Sequence, residues 1–117
     1  MSSDPTVTDP DKYKTIFEND RVRVLEYTDA PGDRTSPHVH PDSVMYTLSS
    51  FRRRLVHGDQ AVEVALEAGQ VHWLDAQEHH GENIGESETR VLFVELKEPV
   101  LRAASPGDPQ LGPTRAC

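Results

Sequence analysis

The segment Gly32-Asp33-Arg34-Thr35-Ser36-Pro37-His38-Val39-His40 decides how the chain is read, together with a later run, His79-His80-Gly81-Glu82-Asn83. Pro37 and Pro41 disfavour helix for the residues before them, so Thr35 to His40 is expected to be extended. Side chains alternate between faces on an extended segment, and His38 and His40 therefore point the same way. Their imidazoles can share one ion. A third histidine from a distant strand would complete a site that no local segment makes alone.

Outward from this segment the chain is a succession of short β-type runs. Tyr13 to Phe17, Arg21 to Tyr27, Val44 to Leu48, Arg52 to His57, Ala61 to Leu66, Gln70 to Leu74 and Thr89 to Leu96 carry the Val, Leu and aromatic residues that strands favour. Between them stand turn signals: Pro31-Gly32, Gly58-Asp59-Gln60 in a hairpin, and Glu67-Ala68-Gly69. No helical periodicity competes. Short strands recurring at this spacing predict an all-β, antiparallel sandwich or barrel of about eight strands.

One domain fits the 117 residues. Residues 1–12, with Pro5, Pro10 and three aspartates, read as a flexible N-terminal arm; residues 13–98 form the barrel. Residues 99–117 carry Pro106, Pro109 and Pro113 and read as a tail outside the core, with one helix-compatible piece, Val100 to Ala104. A mean hydropathy of -0.63 owes part of its polarity to these ends, which leaves a small central core.

Twenty acidic against 12 basic residues give a formal charge of -8, which argues against nucleic acid and anionic membrane as partners. Arg52-Arg53-Arg54 is too short to reverse that balance. The single cysteine, Cys117, allows neither an intrachain disulfide nor a cysteine-based zinc cluster. The N-terminus has no basic region followed by an apolar run, and no stretch approaches membrane-spanning length, so the expectation is a soluble, cytoplasmic protein.

Gly32, five residues, then His38-Val39-His40 is the pattern of a first cupin motif, and the chain resembles a small single-domain cupin over roughly residues 16 to 98. The motif's glutamate, four or five positions beyond the second histidine, is missing: Val44 and Met45 stand there. Gly69 opens a second motif that closes on the histidine run and Asn83, but its Pro-x-Gly turn is lost: Asp75 and Gln77 stand there counting forward from Gly69, Leu74 and Ala76 counting back from Asn83. The resemblance is nearest to cupins associated with β-alanine degradation, and it implies a jelly-roll barrel, or double-stranded β-helix, with a divalent transition metal (Fe, Ni, Zn, Mn or Cu) in a three-histidine centre. A homodimer is also implied by the family.

His38 and His40 supply two of the expected ligands. The third is His79, favoured because its spacing to Asn83 is short and local, with His80, counted forward from Gly69, as the alternative; an extended segment can aim only one of them at the ion. Three neutral imidazoles leave a divalent ion its full charge of about +2, so such a centre favours a small anionic, chelating ligand. Tyr46 is a candidate hydrogen-bond donor to that ligand and His72 a candidate barrel-lining catalytic group, each with ordinary strand packing as the competing role. Arg23, Arg53 and Glu95 could project into the cavity; His57 is expected in solvent and Asp42 in a turn.

Two functions follow. The first is a non-haem metal enzyme, most like the dioxygenases of this fold, in which substrate would occupy two positions on the ion and oxygen a third. The alternative is a non-catalytic module that holds a metal or small metabolite.

Overall fold

In the computed structural model, which describes residues 3–97, 111, 112, 114 and 115, the runs of the sequence become two antiparallel sheets packed face to face. The larger contains β1 (Tyr13–Glu18), β2 (Val22–Asp29), β9 (Thr89–Leu96), β4 (Ser43–Thr47), β7 (Val71–Leu74) and β10 (Thr114–Arg115), adjacent in that order. The smaller contains β3 (His38–His40), β8 (Gln77–Asn83), β5 (Phe51–His57) and β6 (Gln60–Leu66), again in spatial order. Strands consecutive in sequence repeatedly change sheet, which is the winding of a jelly roll.

Period-two burial decides which side chains meet between the sheets. Leu25, Tyr27 and Asp29 of β2 turn inward, as do Val91, Phe93 and Glu95 of β9 and Met45 of β4. Tyr13, Leu25, Tyr27, Met45, Phe51, Leu74, Val91 and Phe93 form one continuous apolar cluster. At one end the interior is polar. Arg53 Nη1 bonds Asp29 Oδ2 at 2.6 Å and Thr89 Oγ1 at 3.2 Å, and Asn83 Nδ2 donates to Asp29 Oδ1 at 3.1 Å. The Tyr27 hydroxyl also donates to Asp29, so the buried carboxylate is fully engaged.

One turn sets the entry to the first histidine strand. Asp33 N–H donates to Ala30 C=O across Pro31-Gly32, with Gly32 at φ 88° as the third turn position demands. Gly32 N–H then bonds Asn83 C=O, tying this turn to the end of β8.

Three regions differ from the sequence expectation. Residues expected as an N-terminal arm include a short helix, α1 (Pro5–Thr8), capped by Asp4, whose side chain accepts from Thr6 N–H. From there Asp9 reaches Ser36 N–H at 3.0 Å, while Ser3 C=O accepts from Val39 N–H and covers the outer edge of β3. The polar run from His79 to Asn83 lies within a seven-residue strand, because β8 pairs on both sides, with β3 and β5. Within the expected C-terminal tail, Thr114 and Arg115 pair with Trp73 and His72 as β10. The helix-compatible piece Val100 to Ala104 lies outside the described residues. No helix among the described residues is long and apolar enough to cross a membrane.

Candidate metal centre

β3 and β8 are adjacent antiparallel strands in which His38 stands opposite His79. Alternation sends both residues inward, with His40 two positions further along β3 on the same face. All three are buried, at 1%, 0% and 6% exposure, and one nitrogen from each falls in a group whose members lie within 4.8 Å of one another. Their ring centroids are separated by 4.7, 5.0 and 5.1 Å. His80 takes the opposite face of β8, half-buried and outside the cluster, so the register brings His79 to the pair and leaves His80 behind.

The outer nitrogens of these rings point at acceptors. His38 Nδ1 is 2.7 Å from Ser36 C=O, which can only accept, so Nδ1 carries the proton. His79 Nδ1 is 2.7 Å from Gln77 Oε1. That amide is oriented by its other partners, Gly112 N–H donating to Oε1 and Asp75 C=O accepting from Nε2. Behind His40 stands Glu95, with Oε2 3.5 Å from Nδ1 and Oε1 2.8 Å from Arg23 Nε. Arg23 reaches on to Asp4 at 3.0 Å. The Nδ1 contacts of His38 and His79 thus leave their Nε2 atoms as the available ligand nitrogens, while His40 Nδ1 lies beside Glu95 without a hydrogen bond.

Burial keeps these rings neutral. Desolvation lowers His38 below its ordinary value and His40 and His79 well below it, with mutual repulsion among the rings adding to the last two. Desolvation raises the Glu95 carboxyl, against the pull of Arg23. Both nitrogens of His40 and Glu95 Oε2 are buried without a hydrogen-bond partner, and a cation among the histidines would give His40 Nε2 the partner it lacks. A set of three neutral imidazoles suits a late first-row divalent ion and leaves coordination positions open.

Glu95 also answers for the missing motif carboxylate. Of the two positions where that group was expected, Val44 faces outward, and Met45 faces inward as cavity wall. The nearest acid comes from β9 instead and stands behind a histidine.

The remaining candidates fall on both sides of the barrel wall. Tyr46 is 41% exposed on the outer face of the larger sheet, away from the histidines. His72 is inward on β7, bonded through Nε2 to Gln70 at 3.2 Å, with Nδ1 buried and unpartnered, but it is not in the three-histidine group. Arg53 is internal, Arg23 half-buried and His57 exposed beside Glu78. Asp42 accepts from Ala76 N–H, a turn-tying role. Sequence reading missed Tyr13, whose hydroxyl is 3.4 Å from His38 Nε2 and whose ring packs on Tyr27; only its place at the head of the first strand marks it. Gln77, at one of the positions where the Pro-x-Gly turn is lost, is the partner of His79.

A cavity of about 50 Å³ adjoins His38 and His79, walled by Met45, Phe51, Leu55 and Phe93, with Arg53 at its polar side. Gly81 leaves part of that space: a Cβ there would stand 3.0 Å from Leu55 and 3.2 Å from Arg53.

No protein-family model matches the chain, and no curated protein matches it. Solved structures do. A cupin domain from Bordetella pertussis Tohama I is similar with a TM-score of 0.68 at 25% identity, over 74% of this chain and 92% of that one. A protein with a double-stranded β-helix domain from Klebsiella pneumoniae subsp. pneumoniae MGH 78578 gives 0.58 at 21% identity, covering 72% and 74%. The polyketide cyclase RemF from Streptomyces resistomycificus gives 0.56 at 22% identity, covering 74% and 64%. The chain has the cupin fold, the double-stranded β-helix that its strand order already describes.

Proposed function

We propose that the chain is a divalent-metal protein in which His38, His40 and His79 hold the ion through Nε2, and that it acts as a non-haem enzyme of dioxygenase type on a small anionic, chelating molecule. The supporting observation is that one nitrogen from each of the three buried rings lies within 4.8 Å of the others, with Ser36 C=O and Gln77 Oε1 bonded to Nδ1 of His38 and His79 and Glu95 beside Nδ1 of His40. A bound transition metal would supply Lewis acidity and a template for oxygen. The residues around it do the rest. Neutral imidazoles leave the ion's charge available to an anion, tempered by Glu95 behind one ligand. Tyr13 O–H lies where it can donate to a group bound beside His38. Apolar walls exclude water, and about 50 Å³ limits the ligand body to a few non-hydrogen atoms. The finer likeness, to cupins associated with β-alanine degradation, belongs to the same proposal and rests on the strand runs and the His40-Pro41-Asp42 step.

The tight, largely apolar cavity favours one second reading, a binding module that retains a metal or small metabolite without turnover. Anaerobic reconstitution with Fe(II), followed by oxygen uptake with a panel of diketones and thiols, separates the two. Oxygen consumption with product supports the enzyme; ligand binding to metal-loaded protein without product supports the module. Protein that takes up no divalent metal and binds none of the panel defeats both.

A further inference from the structure

The cavity beside the histidines offers polar partners at one end only. There His38 and His79 line it, with the Tyr13 hydroxyl 3.4 Å from His38 Nε2. Further along, the polar groups of the wall are committed to one another. Arg53 Nη1 is held by Asp29 at 2.6 Å and Thr89 at 3.2 Å, and its Nη2 donates to the Tyr27 hydroxyl at 3.2 Å. Thr35 Oγ1 accepts from Gly81 N–H at 2.8 Å. Asp29 matches the charge of Arg53, so this wall carries no net charge. The rest is apolar side chain, Leu55, Met45 and Phe93 among it. Room beside His79 comes from Gly81, the next inward residue of β8, which stands opposite Leu55. A Cβ there would meet Leu55 at 3.0 Å and Arg53 at 3.2 Å. Gly81 has no positive φ, so its missing side chain serves space and not backbone conformation.

We propose that the ligand of the three-histidine centre is a monoanion with a head and a tail: a charged, chelating end at the histidines and an uncharged apolar chain of a few carbons over Gly81 and against Leu55. These two residues set the length of the tail. The proposal rests on the metal reading above and adds the part of the ligand that an ion does not touch. A second charge on the tail would leave water for a wall whose donors are already taken, a large penalty. Each buried methylene instead gains about 4-fold in affinity until the space is full. Dianions of the same length are thereby rejected and short-chain monoanions retained.

Titration of the cobalt-loaded full chain with pyruvate, 2-oxobutanoate, 2-oxopentanoate, 2-oxohexanoate and 2-oxooctanoate, followed through the cobalt absorption, varies the tail while the chelating head stays constant. Affinity should climb by about 4-fold per carbon through a tail of about three carbons and fall beyond it. In 2-oxoglutarate a carboxylate replaces the terminal methyl of 2-oxopentanoate, and binding should weaken by about 100-fold or more. Gly81→Ala should move the optimum to a shorter tail and Leu55→Ala to a longer one, both retaining the cobalt content and circular dichroism of the parent; either variant alone decides the point should the other not fold. A cobalt-loaded parent that binds none of the series, a profile flat in tail length, equal affinity for 2-oxoglutarate and 2-oxopentanoate, or an optimum that a folded variant does not move overturns the proposal and leaves the metal reading standing. A parent that takes up no cobalt overturns both.

Discussion

Glu95 Oε2 faces His40 Nδ1 across 3.5 Å, a carboxylate from one sheet standing behind a histidine from the other. Both groups are almost wholly buried, and neither atom has a hydrogen bond. Two bonds through Arg23, at 2.8 Å to Glu95 and 3.0 Å to Asp4, hold the acid in place and connect it to the cap of α1. The acid does not need to touch an ion to matter: a carboxylate behind an imidazole fixes ring orientation and makes the nitrogen more basic.

Glu95→Gln should therefore weaken divalent-metal binding by about 10- to 100-fold while leaving the ligand set intact. Chelator competition with zinc or cobalt measures the change. In the cobalt form, an unchanged ligand-field spectrum at saturation would place the effect behind the ligands, and a changed one would make Glu95 a ligand itself.

His79→Ala should abolish stoichiometric metal in the purified protein, whereas His80→Ala should retain it. Elemental analysis of the two variants beside the parent decides the third ligand. Saturating metal should also raise the thermal midpoint of the parent and of His80→Ala only, since an ion bound by the folded state alone stabilises it.

Stability of the metal-free protein should fall as pH drops below about 6.5. His38, His40 and His79 titrate below that ordinary value when folded, so the unfolded chain takes up their protons first and is favoured increasingly from 6.5 downward. Glu95 acts in the opposite sense. Its raised value lets the folded chain bind a proton before the unfolded one, which offsets part of the loss as pH approaches 4.5. Urea midpoints between about pH 7 and 5 should decline in the parent, and less steeply in His40→Ala.

Arg53→Met should destabilise by about 3–5 kcal/mol, because Asp29 is left charged, buried and without its cation. The double variant Arg53→Met/Asp29→Leu should recover much of that loss, as apolar replacements of buried ion pairs often do. Urea unfolding of the two variants gives both numbers.

The sequence was most legible where local chemistry settles the outcome. Turn glycines at 32 and 58, proline-enforced extension before His38, and the apolar alternation of Thr89 to Leu96 led to the observed β-architecture, and His-x-His spacing led to two of the three clustered residues. It was least legible where a long-range partner decides. Which of His79 and His80 turns inward depends on the register of β8 against β3, and a one-residue slip would exchange them. The importance of Glu95 and Gln77 depends on side chains that meet only across sheets or through the returning C-terminal segment. Tyr46 looked like site and lies outside, because its place on β4 is one step out of phase with Met45.

β3 is three residues long and sits at the edge of its sheet, bordered by β8 on one side and by Ser3 on the other. It has little to hold it until the distant β8 and the N-terminal segment have both arrived. The pairing of β5 with β6 is local in sequence, whereas the three imidazoles converge only once β8 lies against β3. In the unfolded chain His38 and His40 alone are neighbours, a weak pair. An ion that demands all three would therefore discriminate between finished and unfinished topologies, and its uptake would report that the winding is complete.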